Sequence, residues 1–114
     1  MPYVWGGESP EVGFDCSGLV VYCARLLGIE LPHYAKYIYN MCQPVDIPEV
    51  GDLVFFHDTY PIPDWELPPH ISHMGIYAGN GEFLNANGER GVCYSALTSP
   101  YWQSYYYGAA RLAF

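Results

Sequence analysis

The chain has 114 residues, 51% of them hydrophobic and 18% aromatic, which suits one buried core, is too short for two, and excludes disorder. Four basic residues stand against twelve carboxylates, a net charge of −8, so no basic patch can neutralise nucleic-acid phosphates, and other polyanions or acidic lipids are repelled. No apolar run is long enough to insert in a membrane, and no charged segment followed by a hydrophobic one opens the chain.

Tyr3-Val4-Trp5-Gly6-Gly7 comes first, ahead of a Pro/Gly/Glu loop through Gly13. The paired glycines let backbone pass close to a bulky group, with Tyr3 and Trp5 lining a cleft; an aromatic core anchor followed by a turn is the plainer alternative. Asp15 is a good N-cap, and Leu19, Val20, Cys23, Leu26 and Leu27 recur at helical spacing until Gly28 supplies a stop. Cys16 thus lies in the first turn, where unpaired backbone N–H groups favour a thiolate. Helix position alone favours a small packed thiol over a nucleophile, so its partners must decide. Cys23 lies on the apolar stripe and reads as core. The four cysteines, Cys16, Cys23, Cys42 and Cys93, are scattered without a paired C-x-x-C, so reduced, core-packed side chains are expected for three of them rather than two disulfides.

Pro32 separates this helix from a second helical stretch over residues 34–41. Pro44 and Pro48 precede the apolar run Gly51-Asp52-Leu53-Val54-Phe55-Phe56, which reads as a buried strand. Four prolines between His57 and Pro69 exclude a regular element there and predict a long surface loop. His73-Met74-Gly75-Ile76-Tyr77-Ala78 and Glu82-Phe83-Leu84-Asn85-Ala86 then flank Gly79-Asn80-Gly81, a hairpin signal, and a last strand is expected over residues 105–112. A two-residue loop would send His73 and Asn85 to opposite faces. A three-residue loop with Gly81 left-handed in a bulge pairs Gly75 with Asn85 and makes His73 and Asn85 diagonal neighbours, with side-chain-free Gly75 leaving room between them. The three-residue loop is the expectation. Of the other histidines, His70 and His73 are close enough to suggest metal ligation, but no cysteine or carboxylate stands at ligand spacing. His33 reads as a cap or surface residue, and His57 as a solvated strand end bordering the loop.

Helices first and a strand meander afterwards predict an α+β domain with the N-terminal helix packed on an antiparallel sheet. A helix-start cysteine, a strand histidine and an amide to orient it form a Cys-His-Asn set suited to acyl transfer. Each catalytic group is supplied by the protein, so the chemistry requires no cofactor and no metal.

Tyr3-Val4-Trp5-Gly6-Gly7, Asp15-Cys16-Ser17-Gly18-Leu19-Val20, Gly51-Asp52-Leu53-Val54-Phe55-Phe56 and His73-Met74-Gly75-Ile76-Tyr77-Ala78-Gly79-Asn80-Gly81, in this order, resemble the NlpC-type family of cell-wall cysteine peptidases. The resemblance implies a papain-like fold and hydrolysis of peptidoglycan stem peptides, commonly between γ-D-glutamate and the following diamino acid. It places Cys16 on the nucleophile, His73 on the base and Asn85 on the third polar position, often histidine in the family. It puts the Tyr3 hydroxyl beside the nucleophile, where it assists the Cys16 N–H with the oxyanion, and it makes Asp15 and Ser17 substrate-binding residues, with Trp5 in the same cleft. An amidase cutting the sugar-to-peptide bond, another papain-fold amidase or acyl transferase, and an inactive wall-binding module are the alternatives. A single catalytic domain over residues 1–114 is expected, cut from a longer protein, monomeric, and acting outside the cell or in the wall. Because its charge repels anionic wall polymers, a tethered wall-binding domain is expected in the parent protein. The loop after His57 and the run Tyr101-Trp102-Gln103-Ser104 resemble wall hydrolases of phages and conjugative elements.

Overall fold

The computed structural model describes residues 8–9, 13–14, 16–31, 33–59, 70–87 and 91–112. Short strands β1 (Glu8–Ser9) and β2 (Gly13–Phe14) pair with each other and lead into helix α1 (Cys16–Leu26) and helix α2 (Ala35–Asn40). Strands β3 (Cys42–Val45), β4 (Leu53–His57), β5 (Ile71–Gly79), β6 (Glu82–Asn87) and β7 (Gly91–Ala96) follow, then helix α3 (Pro100–Tyr105) and strand β8 (Tyr106–Leu112). Six strands form one antiparallel sheet in the order β3-β8-β4-β5-β6-β7. The fold is therefore α+β with an N-terminal helix on an antiparallel sheet, as the segment order predicts.

The apolar run of β4 is continuous because the strand is buried on both faces. Leu53 and Phe55 join Val20, Val21, Ala24, Ile38, Met74 and Ala110 beneath α1 and α2. Val54 and Phe56 point the other way, into a cluster with Phe83 and Ala109 that Trp102 of α3 covers. Alternation carries the two faces across the sheet: Met74 lies opposite Phe55 on the α1 face, and His73 opposite Phe56 on the α3 face.

Helix α1 ends as expected at Gly28, whose φ of +80° suits a residue without Cβ. The Gly28 and Ile29 N–H groups donate to the Arg25 and Ala24 carbonyls, and Ile29 packs against the cluster holding Ala24, which is a Schellman closure. The buried stripe differs from the expected one. Leu26 and Leu27 are 70% and 75% exposed, and the packed positions are Val20, Val21 and Ala24, with Leu19 against Ala86. Helical spacing allowed either stripe, and the sheet's position selects this one. Cys23 is half-buried rather than core, at the edge where α1 meets Leu84 and Val92. All four cysteines are partly exposed rather than core-packed.

The hairpin carries the predicted pairing by a different route. Ile76 pairs with Leu84 and Tyr77 with Phe83, a register that sets Gly75 opposite Asn85. The turn is the two-residue Asn80-Gly81, with φ of +54° and +76°, closing Gly79 onto Glu82. A bulge at Ala78 in β5 absorbs the extra residue that the three-residue loop was expected to hold. The Tyr77 hydroxyl accepts from the Gly81 N–H at 3.0 Å and braces the turn.

Within the sheet, Asp52 ties the start of β4 to its neighbour β8. Its buried carboxylate accepts from Arg111 Nε at 2.8 Å and Nη2 at 2.9 Å, and from the Glu49 N–H at 2.8 Å. The Arg111 hydrogen bonds hold its pKa below the usual carboxylate value against the opposing effect of burial.

Candidate active site

Cys16 is the first residue of α1, so its thiol and backbone N–H sit at the positive end of an eleven-residue helix. The thiol lies 3.9 Å from the Ser72 carbonyl oxygen, one residue before His73. The helix and the histidine belong to opposite faces of the sheet. Cys16 is at the tip of α1 and not on its packed side, and the β4–β5 register shifts between Phe56 and His57, beside the Ser72 carbonyl that the thiol meets. The Ser72 hydroxyl is held at 2.6 Å by Thr59 Oγ1 and accepts from the Thr59 N–H at 2.9 Å, which anchors this strand end.

His73 is 7% exposed, and its Nε2 lies 3.0 Å from Asn85 Oδ1. The shared face expected of these two side chains is thus present. Asn85 is fully buried, with its amide nitrogen 3.3 Å from the Cys93 carbonyl and 3.0 Å from Ser95 Oγ. A carbonyl can only accept, so the amide edge facing Cys93 is the NH2, and the edge facing His73 is the oxygen. The oxygen also only accepts, so Nε2 carries the proton and Nδ1 keeps its lone pair. Gly75 makes this approach possible: a Cβ there would stand 2.6 Å from the Leu84 carbonyl oxygen and 3.1 Å from Asn85 Cβ.

Two aromatic rings enclose the imidazole. Trp102 stacks on it with centroids 5.0 Å apart and planes at 22°, and Phe56 meets it at 5.8 Å. Burial pushes the His73 pKa down from 6.5 to about 4, with the Asn85 hydrogen bond opposing the shift. At neutral pH the imidazole is therefore an uncharged acceptor.

The remaining expectations divide. Tyr3, Trp5 and Asp15, and the loop over residues 60–69, lie outside the described residues. Ser17 is 6% exposed within α1. His70 does not join His73: its Nδ1 turns to Asp58 Oδ1 at 3.3 Å, while His57 Nδ1 takes Asp58 Oδ2 at 2.8 Å. These two imidazoles hold the Asp58 carboxyl below its ordinary pKa, the His57 hydrogen bond contributing most. Among the described residues, no group of three or more His, Cys, Asp or Glu side chains is placed to hold a metal.

Ser95 and the Cys93 carbonyl adjoin the site without having been singled out from the sequence, and Trp102 stands out there only within the run Tyr101-Trp102-Gln103-Ser104, not as a site residue. Ser99-Pro100 is a helix-start signal, and the Ser99 hydroxyl does cap α3 by accepting from the Trp102 N–H. Ser95 lies two residues beyond Cys93 on the same face of β7, in the register that pairs Cys93 with Asn85. That register depends on strand neighbours that local pattern does not reveal.

Comparison with known proteins gives this arrangement a family. The bifunctional muramidase/DL-endopeptidase CwlT of Bacillus subtilis is 42% identical over 113 residues, 97% of this chain and 32% of that protein. The murein DD-endopeptidase MepH of Escherichia coli is 38% identical over 118 residues, 97% of this chain and 41% of that protein. The chain therefore spans well under half the length of these relatives. Among solved structures, a lipoprotein-like NLP/P60 family protein of Staphylococcus aureus superposes with a TM-score of 0.87 at 36% identity, covering 100% of this chain and 37% of that one. The NlpC/P60 family profile matches residues 1–111, and the chain belongs to the NlpC/P60 family of papain-like domains.

Proposed function

We propose that this domain is a peptidoglycan hydrolase, a cysteine endopeptidase that cuts the stem-peptide bond between γ-D-glutamate and the following diamino acid. The observation that carries the reading is the buried His73–Asn85 pair beside a helix-start thiol, with Nδ1 left as the acceptor. The choice of a DL bond follows the relative at 42% identity.

In this reading Cys16 gives its proton to His73 Nδ1 as Sγ attacks the scissile carbonyl carbon. A neutral imidazole suits that step, and the oxyanion that forms alongside stabilises the imidazolium. The oxyanion accepts from the Cys16 N–H at the helix start and from the Tyr3 hydroxyl. Collapse breaks the C–N bond, and His73 returns its proton to the departing amine. Water then loses a proton to His73 and attacks the thioester, releasing the carboxylate product and restoring the thiol. Asn85 holds the imidazole in one tautomer throughout. Trp5, Asp15 and Ser17 bind the stem peptide, and no cofactor enters the cycle. The domain works in the wall or outside the cell, as a monomer, carried there by a wall-binding domain of the parent protein.

Mass spectrometry of products from defined muropeptides tests this directly. The expected result is release of a fragment with a new diamino-acid amine, lost in Cys16→Ala. Cleavage of the crosslink instead would assign a DD bond, and a free lactyl-muramic acid would assign an amidase. Unchanged release by Cys16→Ala overturns the nucleophile.

A further inference from the structure

Asn85 takes the third position where many family members are expected to carry histidine, and an amide has a weakness that imidazole lacks. Rotating it by half a turn exchanges oxygen for NH2 with almost no change of shape. The flipped amide would present a donor to Nε2, the proton would move to Nδ1, and the imidazole could no longer accept from Cys16. Something must therefore distinguish the two ends of this amide. The described structure offers two groups, both on β7 and both on the nitrogen side: the Cys93 carbonyl at 3.3 Å and Ser95 Oγ at 3.0 Å. Ser95 is the closer, is 7% exposed, and also meets the Cys93 sulfur at 3.9 Å, a weak partner.

We propose that Ser95 is a positioning residue that fixes the Asn85 amide, and through it the proton on His73 Nε2, so that β7 sets the tautomer on which the reaction depends. The inference rests on the proposed role of His73 as the base. It adds a residue that touches neither substrate nor the reacting atoms. A serine hydroxyl can rotate to accept from the amide while sending its own proton elsewhere, which no apolar residue of this size can do. Without it, the amide nitrogen loses the shorter of these two contacts and keeps the longer one to the Cys93 carbonyl.

The test is Ser95→Ala, with Ser95→Thr as the variant that keeps the hydroxyl. Removing one ordinary hydrogen bond corresponds to about a five- to tenfold change in an equilibrium constant, so Ser95→Ala should lower kcat about that much while KM stays within about twofold. Long-range ¹⁵N–¹H spectra of the imidazole should show the Nε2–H form in the parent and a rising share of Nδ1–H in Ser95→Ala. Ser95→Thr should restore the parent pattern in both readouts. Combining Ser95→Ala with Asn85→Ala should add no further loss, because the amide it positions is gone. If Ser95→Ala does not fold, Ser95→Cys, a weak acceptor of similar size, should give the intermediate kcat and mixed tautomer. The inference is overturned by a parent-like tautomer in folded Ser95→Ala or Ser95→Cys, or by full additivity with Asn85→Ala. The spectra require no substrate, so a domain inactive on wall peptides would refute the proposed function while leaving this question answerable.

Discussion

Replacing Gly75 by alanine adds one methyl group to the tightest point of the site. The new Cβ would stand 2.6 Å from the Leu84 carbonyl oxygen, 2.7 Å from Phe83 Cδ2 and 3.1 Å from Asn85 Cβ. The first contact is with backbone, which cannot rotate aside, and Phe83 is fully buried against Phe56 and Trp102. The relief available is separation of β6 from β5, which lengthens the 3.0 Å contact between His73 Nε2 and Asn85 Oδ1. Overpacking of this kind costs about 1–3 kcal/mol, and the backbone contact argues for the upper half, about 2–3 kcal/mol. For a domain of this size that lowers Tm by roughly 10 °C. Because Asn85 moves with β6, kcat on a muropeptide should fall more than tenfold, a loss corresponding to at least about 1.4 kcal/mol at the transition state. Thermal unfolding by circular dichroism and steady-state kinetics on the same preparation measure both. A Gly75→Ala protein with Tm within 2 °C of the parent (about 0.5 kcal/mol) and unchanged kcat would refute the argument that an empty position is needed there.

Trp102→Ala should uncover the imidazole and lower kcat at least about fivefold, with Trp102→Phe recovering most of it, since a smaller ring still stacks; proton NMR of His73 checks the cause, because loss of burial should raise its pKa from about 4 toward 6.5. Arg111→Ala leaves the buried Asp52 carboxylate without its fork and should lower the stability of the domain at pH 7. A carboxylate with a lowered folded pKa stabilises above its unfolded value of 3.8 and loses that contribution as pH falls through the folded value, so the gap between parent and variant in urea unfolding should close on acidification below pH 4. Burial raises the Cys23 thiol pKa and pushes Cys42 up to about 11, so mass-spectrometric mapping of iodoacetamide labelling at pH 7 should find Cys16 modified well before either; Cys42 labelling first would contradict the site. Gly28→Ala, at a φ of +80° with open space around it, should cost about 1 kcal/mol by thermal unfolding from backbone strain alone.

Much of this architecture is written in local sequence. Gly28 ends α1 because φ above zero is readily available to a residue without Cβ, and Leu53-Val54-Phe55-Phe56 is a doubly buried strand because every residue in it is apolar. The pairing of Gly75 with Asn85, and so the shared face of Asn85 and His73, follows from hydrophobic alternation on both strands. Local sequence did not determine how that pairing is reached. Asn80-Gly81 favours a two-residue turn, and the bulge at Ala78 that restores the register forms because slipping by one would bury Glu82 and expose Phe83. Nor did helical spacing choose between the stripe ending at Leu27 and the one through Val21 and Ala24, since both have the same period and only the sheet beneath distinguishes them. The environment of His73 lay furthest from the sequence. Trp102, Cys93 and Ser95 come from α3 and β7, and they reach His73 and Asn85 only when non-local strand pairing closes the α3 face of the sheet. The residue types of the candidate site are thus legible in order along the chain, while the tautomer and pKa of His73 depend on burial and on hydrogen bonds that exist only in the folded sheet.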